Sequence, residues 1–289
     1  MEKIPPPHMP ETLPLPSARF AVIDAAQLAP EHWDDLPSRR MVPDAYRDRA
    51  ELFPILVDLD ELDETQRVAV LDRDANCAAQ SGKTYLMALL DARGTPASVL
   101  THLTRRMLVR RPDGQEDILR IYDPLVFRHL RWLLSVEQID SLLGPIGTWH
   151  WREPDGTWHS HSRDADQPSI RPLRLTPAQW PSLLRMADLQ RAIRTLADDD
   201  APCAWRIETA QQLDQLLADT ESIEGLNESE DRALHALQAL RFGRTIHQHS
   251  ALLHRLGMAR NGETTYSSAC ADLDAIRLQK FADELQQSH

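Results

Sequence analysis

The chain has 289 residues, of which 42% are hydrophobic, and this indicates a globular protein with a substantial core. Its 32 Lys and Arg against 44 Asp and Glu residues give a formal net charge of -12. Because such a chain repels phosphate backbones, nucleic acid is not an expected partner.

The cysteines and the N-terminal residues predict a cytoplasmic protein. The three cysteines form no C-x-x-C pair and no disulfide framework, which favours a reducing compartment. The N-terminal residues are broken by prolines and lack the apolar core of a secretory signal. No apolar run approaches the length of a membrane-spanning helix, so we expect no contact with a membrane.

The first hundred residues give mixed signals. A Pro-rich tail is predicted at residues 1–17 and a first strand at 19–24. Further along come turns and loops over 29–46, a strand over 52–59, a short strand over 68–71, an ambiguous segment over 85–90 and a helix over 98–106. Pro54 predicts that the strand over 52–59 is irregular or lies at a sheet edge.

The signals are clearer from residue 107 to residue 134. Residues 107–111 and 118–122 predict the strands of a β-hairpin, joined by a turn at Pro112-Asp113-Gly114. Asp123 is a suitable N-cap and Pro124 a suitable first helical residue, so a helix is predicted over 125–134. This hairpin and capped helix should form the heart of the first lobe.

A short helix and a second hairpin follow. Ser135 and Gln138 have the spacing of a capping box, and Gly144 predicts the end of that helix. Residues 148–152 and 157–162 predict two strands around the turn at Pro154-Asp155-Gly156.

Beyond Pro172 the pattern becomes helical. Helices are predicted from Thr176 to about residue 196, ending at an acidic run over 198–200, and over 207–218, 229–256 and 268–286, with Gly257 as a stop. The predicted fold is therefore α+β, with an N-terminal mixed α/β lobe with β-hairpins followed by an all-helical C-terminal lobe. The expected divisions are a flexible Pro-rich tail over 1–17, an α/β domain over 18–172 and a helical lobe over 173–289.

Motifs for chemistry are weak in this sequence. Ser81-Gly82-Lys83-Thr84 resembles the end of a phosphate-binding loop, but Cys77 stands where that loop needs glycine, so an ordinary surface loop is favoured. No G-x-S-x-G nucleophile or activated cysteine is visible. We expect no catalytic residue, cofactor or metal.

Two histidine clusters favour polar surface positions over metal sites. His159 and His161 would share one strand face, and no third ligand is evident nearby. His247 and His254 would face the same way on one helix, without an H-E-x-x-H pattern.

Two sets of residues are candidates for contact with a partner. Trp149, Trp151 and Trp158 lie on the second hairpin, where core packing and an aromatic contact surface are equally favoured. Arg105 and Arg106, in the first arginine-rich segment, are the other candidates, although an exposed strand face is the favoured explanation for them.

Residues 102–149 resemble the domain of bacterial type VI secretion effector adaptors, also called effector chaperones or Tap/TEC proteins. The resemblance rests on the arginine-rich segment, the Asp-Gly hairpin turn and Arg120-Ile121-Tyr122-Asp123-Pro124. An earlier Ile23-Asp24-Ala25-Ala26 and a later Gly144-Pro145-Ile146 with Trp149 extend it over residues 19–150.

The resemblance implies a protein without enzymatic activity, which binds a toxic effector in the cytoplasm and loads it onto the VgrG spike. The family motif residues Arg120, Tyr122, Asp123, Pro124, Gly114 and Gly144 are interpreted as mainly structural. A buried Arg120 beside Asp123 would form a bidentate pair that holds the strand-to-helix turn. The partners implied are the cognate effector and VgrG.

Two alternatives remain open at this point. An immunity or regulatory binding protein would use its acidic surface to cover a basic toxin. A metal-dependent hydrolase would use the histidines, and it is the less favoured of the two.

Overall fold

The computed structural model describes residues 18–81, 84–164 and 172–287 and divides the chain into two compact units. The first unit extends to Leu175, and the second begins at Thr176. All strands of the described residues lie in the first unit, and the second consists of helices and their connections, so the predicted α+β class is confirmed. The predicted tail over 1–17 lies outside the described residues.

The strands of the first unit form one large sheet and one small ribbon. They are β1 (Phe20–Ile23), β2 (Ser38–Arg40), β3 (Ile55–Asp58), β4 (Leu86–Ala92), β5 (Leu108–Arg110), β6 (Glu116–Ile118), β7 (Ile146–Arg152) and β8 (Trp158–Ser162). The large sheet has the order β2-β3-β1-β4-β7-β8, and all its pairs are antiparallel. β5 and β6 form the separate ribbon.

The sequence predicted that Pro54 makes its strand irregular or places it at a sheet edge, but β3 is not an edge strand. β3 pairs with β2 on one side and β1 on the other. Proline is tolerated because it directly precedes β3, where its missing N–H interrupts no ladder. Its carbonyl accepts a hydrogen bond from the Met41 N–H at 2.9 Å. β2 was missed, since three residues between loops carry little signal.

The helices of the first unit are α1 (Glu64–Ser81), α2 (Pro96–Arg106), α3 (Pro124–Leu133) and α4 (Val136–Leu143). The strand predicted over 68–71 is wrong, because those residues lie within α1. A run of four apolar residues does not separate a buried helix turn from a strand. The ambiguous segment over 85–90 becomes β4, and the helix predicted over 98–106 is confirmed by α2.

The first hairpin is confirmed, but its second strand was placed too late in the sequence. β6 ends at Ile118, and the Leu119 N–H still donates to the Met107 carbonyl at 2.7 Å. Beyond this point Leu119 and Ile121 are buried, so the chain turns into the core instead of extending the ribbon. Tyr122 therefore lies in a turn rather than at the end of a strand.

The predicted helix caps are confirmed. Asp123 Oδ1 accepts the Leu125 N–H at 3.0 Å, and Pro124 is the first residue of α3. Ser135 and Gln138 form the reciprocal capping box of α4. Each cap supplies acceptors for helix N–H groups that have no partner inside the helix.

Helices cover both faces of the large sheet. On one face Val70 of α1 packs in a core cluster with Ile23 and Trp158. On the other face Phe127 of α3 stacks on Trp149, with ring centroids 4.7 Å apart. The central strands are apolar throughout, as β1 illustrates with four buried residues, because both faces are covered.

The second unit contains seven further α-helices and one short 3-10 helix (Ile246–Gln248) among the described residues. The α-helices are α5 (Trp180–Leu184), α6 (Met186–Ala204), α7 (Ile207–Thr220), α8 (Ser229–Phe242), α9 (Ser250–Arg260), α10 (Tyr266–Ala269) and α11 (Ala275–Gln287). The helix predicted over 207–218 is confirmed by α7. None of the helices in the described ranges combines the length and apolar composition needed to cross a bilayer.

Several helix boundaries of this unit differ from the predictions. The helix expected from Thr176 starts at Trp180, breaks at Arg185 and continues through the acidic run with a kink at Asp200, just before Pro202. The helix expected over 229–256 is two helices, separated after Gly243, whose φ is +97°. Gly257 is not a stop but lies inside α9. The helix predicted over 268–286 begins only at Ala275.

Candidate functional site

The motif residue Arg120 connects two distant parts of the first unit. Its Nη2 donates to Asp24 Oδ2 at 2.8 Å, whereas Asp123 Oδ2 is 3.9 Å away. Asp24 directly follows β1 and is buried, and Gln27 Nε2 donates to the same carboxylate oxygen at 2.7 Å. The predicted bidentate pair with Asp123 is therefore wrong, because the shorter contact is with Asp24.

Arg120 is also not buried, as its side chain is 44% exposed. Its guanidinium lies over the ring of Tyr122, 5.3 Å from the centroid. Tyr122 itself is buried, and this burial raises the pKa of its hydroxyl to about 12. With Asp123 and Pro124 starting α3, this part of the motif acts as a structural joint between β1 and α3.

Gly144 is required by close contact with a histidine that the sequence analysis did not select. A Cβ at Gly144, whose φ is +55°, would lie 2.1 Å from His102 Cε1. His102 Nε2 donates to the Leu142 carbonyl at 2.8 Å. Burial and the charges of Arg106 and Arg105 lower the pKa of His102 to about 4, so the ring is neutral at pH 7. The visible signal for His102 was its position at the start of the resembling segment.

Gly114 lies at the turn of the first hairpin with a φ of +87°. Its N–H donates to the Arg111 carbonyl at 3.0 Å. A positive φ at this position favours glycine, which fits the structural role predicted for it.

The three tryptophans belong to the core. Trp149 and Trp151 are fully buried under α3, and Trp151 Nε1 donates to Glu153 Oε1 at 2.9 Å. Trp158 is buried on the opposite sheet face. Of the two explanations that the sequence left open, the burial of all three rings supports core packing and not an aromatic contact surface.

The sequence predicted exposed polar positions for both histidine clusters, and the structure bears this out for His254 but not for the buried His161 and His247. His161 is buried opposite Trp149, and burial lowers its pKa to about 4. His247 lies outside the long helices and stacks on His235, with centroids 3.4 Å apart, whereas His254 is exposed on α9. In the part of the chain that the structure describes, no three His, Cys, Asp or Glu residues are grouped to hold a metal ion.

The phosphate-loop-like segment has the wrong position for phosphate binding. Gly82 and Lys83 lie outside the described residues, and Ser81 is the last residue of α1. A phosphate-binding loop precedes a helix, whose N-terminal N–H groups face the anion. This segment instead follows a helix, and Cys77 lies within that helix.

A groove with a volume of about 820 Å³ runs beside α2 and contains both candidate arginines. Arg105 and Arg106 are the last residues of α2, so the predicted strand face for them is wrong. Val99 and Leu103 turn the opposite side of α2 into the core. The groove is lined by Ala97, Ser98, Thr101, His102, Arg105, Arg106, Leu108, Pro145, Pro172 and Leu173.

The charged groups in this groove are all basic. Burial and the neighbouring charge of Arg105 lower the pKa of Arg106. Arg105 is exposed and forms no ion pair with any other residue that the structure describes. These like charges repel one another, so an anionic group in the groove would be stabilised by them. None of the residues that line the groove belongs to the joint between β1 and α3.

Comparison with known proteins gave one match. Residues 20–141 match the family model described as a domain of unknown function (DUF4123). No curated protein and no solved structure matches the chain. The matched segment extends from β1 into α4, so it contains Asp24, His102 and Arg120 and ends before Gly144. Residues 20–141 are thus similar to the DUF4123 domain family.

Proposed function

We propose that this chain is an adaptor that binds a type VI secretion effector in the cytoplasm and loads it onto the VgrG spike. The observation that carries the proposal is the match of residues 20–141 to a family associated with type VI secretion adaptors. The resemblance to effector adaptors described above lies largely within this segment, since residues 102–141 belong to both.

The geometry supports a binding role without catalysis by this chain. Asp24, Arg120, Tyr122 and Asp123 hold β1 to the start of α3, which gives these polar residues a structural function. The groove beside α2 offers a concave surface where Arg105 has no ion-pair partner among the described residues, which suits recognition of another protein.

Co-expression tests the proposal. The chain is expressed with the effector and the VgrG protein encoded beside its gene, and affinity purification through this chain should recover both. Deleting its gene should lower effector solubility and abolish secretion of that effector, while secretion of other effectors continues. Equal solubility and equal secretion of the effector without this protein would exclude the adaptor function.

The net charge of -12 favours one second candidate, an immunity protein that covers a basic toxin. A toxicity assay separates the two functions. An immunity protein protects target cells that produce it from the toxin, whereas an adaptor leaves those cells sensitive. Protection of target cells together with normal effector secretion in the deletion strain would favour the immunity function.

A further inference from the structure

The groove beside α2 combines apolar walls with the positive charge of Arg105, which has no ion-pair partner among the described residues. We propose that it binds an acidic segment of a protein partner, with Arg105 and Arg106 facing its carboxylates. The inference deepens the proposed adaptor function and rests on it for the identity of that partner, the effector or the spike protein.

The arginines of the first unit differ in whether a carboxylate lies beside them. Arg120 and Arg128 each have a carboxylate within 3.2 Å, Asp24 and Glu153 respectively. Arg105 has no such partner in the described part of the chain, although acidic residues outnumber basic ones in this protein. An arginine left without a carboxylate in an acidic protein is available to one supplied from outside.

The shape of the groove favours a peptide segment. The exposed side of α2 presents Ala97, Ser98 and Thr101, whose small side chains allow a partner backbone to approach closely. Leu108, Pro145, Pro172 and Leu173 supply apolar surface to the same groove. The complementary segment therefore carries carboxylates for the arginine end and apolar side chains for the walls.

Nucleic acid fits the groove less well than an acidic protein segment. The net charge of -12 repels a long polyanion as it approaches. No Phe, Tyr or Trp lines the groove, and its one imidazole, His102, is packed against Gly144, so the groove offers no open aromatic face on which a base could stack. Carboxylates carried on an apolar peptide use both the charge and the walls.

The test compares two charge reversals of equal size. Arg105→Glu changes the groove, and Arg110→Glu is the matched control, because Arg110 is exposed on β5 and also unpaired within the described residues. Three probes are used: a short synthetic peptide of Glu and Leu, a peptide of Gln and Leu, and a single-stranded DNA. Fluorescence anisotropy measures the binding of each probe. Equal thermal unfolding midpoints of the two variants verify that both are folded.

The Glu/Leu peptide should bind the full chain, and Arg105→Glu should weaken it about tenfold, with little effect from Arg110→Glu. Binding should also weaken as salt is added. The inference is overturned if both variants bind the Glu/Leu peptide equally, if the Gln/Leu peptide binds as tightly, or if DNA binds more tightly. Self-association that Arg105→Glu abolishes, without peptide binding, would assign the groove to a second copy and also overturn it.

Purification with the effector separates this inference from the proposed function. Recovery of both the effector and VgrG by wild type, and equally by Arg105→Glu and Arg110→Glu, would refute the groove assignment and leave the adaptor function standing. No recovery by wild type, with an Arg105-dependent peptide interaction retained, would refute the adaptor function alone. Loss of effector recovery only in Arg105→Glu would support both.

Discussion

The two units bury polar side chains in different ways. In the first unit, the Asp24–Arg120 contact joins segments that are far apart in the chain, and it lies just beyond the end of the interior strand β1. In the second unit, polar contacts join helix to helix, such as Arg185 with Asp214 of α7 at 2.8 Å and Arg232 of α8 with Asp188 of α6 at 2.7 Å.

The core of the second unit also contains a polar aromatic cluster. His235 and His247 stack face to face, and His247 Nε2 donates to Gln238 Oε1 at 3.1 Å. The Tyr266 hydroxyl donates to the same oxygen at 2.7 Å. The family match lies entirely within the first unit, which contains the sheet and the Asp24–Arg120 contact. The helical unit is stabilised by its own ion pairs and by this aromatic cluster. Under the proposed function, a helical region fitted to one particular cargo would lie outside the family match, as this one does.

The largest expected effect is in the first unit, at Gly144. Gly144→Ala places a Cβ against the His102 ring at a positive φ, so we expect a loss of about 4 kcal/mol in the free energy of unfolding. Urea denaturation measures this loss. Gly114→Ala is the control, because it also has a positive φ but its Cβ would meet no atom closer than 3.9 Å.

A double variant separates strain from overlap at this site. Adding His102→Ala to Gly144→Ala should recover part of the lost stability, since the ring no longer occupies the position of the Cβ. Purely additive losses would show that His102 is not the reason for glycine at this position.

Acid should destabilise the second unit through its histidine pair. Burial lowers the pKa of His235 to about 4 and that of His247 to about 3, from an ordinary value of 6.5. Between pH 6.5 and about pH 4, these histidines bind protons in the unfolded chain but not in the folded chain. Stability present above pH 6.5 is therefore lost as the pH falls to about 4, on the order of 3 kcal/mol for His235 alone.

The variant His235→Phe tests this acid sensitivity, because it keeps a ring beside His247 but removes one titrating group. Unfolding free energies at pH 7 and pH 4 should differ less in His235→Phe than in wild type. His254→Phe is the control, since His254 is exposed on α9. An unchanged pH dependence in His235→Phe would contradict the prediction.

A smaller loss is expected when the joint of the first unit is cut. Arg120→Met leaves the buried Asp24 carboxylate with Gln27 but without its cation, and we expect a cost of about 2 kcal/mol, moderated by the exposure of Arg120. Arg110→Met, at an exposed and unpaired arginine of the described chain, should be nearly neutral. Recovery of stability in Arg120→Met combined with Asp24→Asn, measured by denaturant unfolding, would identify Asp24 as the partner. A failure to recover would argue against it.

The smallest effect is expected at the start of α3. Asp123→Ala removes the acceptor for the Leu125 N–H and should cost about 1 kcal/mol. Asp123→Asn keeps an acceptor oxygen and should restore most of that stability. Thermal or denaturant unfolding of both variants measures the difference, and equal destabilisation by Ala and Asn would rule out the capping role.

Local chemistry accounts for the features that could be predicted. The Asp113-Gly114 turn, the Asp123 cap and the Ser135–Gln138 capping box depend on residues within four positions of one another. The α+β class could also be predicted, because the hydrophobic periodicity of strands and helices depends on residues that are close in the sequence. The short apolar run over 68–71 failed because its surroundings, rather than its own residues, decide between helix and strand.

Contacts between distant residues decided the rest. Arg120 was expected to contact its neighbour Asp123, but folding brings it closer to Asp24, which directly follows β1 and lies 96 positions earlier in the chain. The tryptophans of the second hairpin suited either a core or a surface, and the coverage of both sheet faces buried them.

The sequence by itself determined the turns, the caps and the order of the two lobes, because these follow from neighbouring residues and their spacing. Only the tertiary structure decided the strand order, the partner of Arg120, the contact of His102 with Gly144 and the groove beside α2. Each of these depends on which distant side chains the packed sheet brings within a few ångströms, and spacing along the chain does not encode that distance.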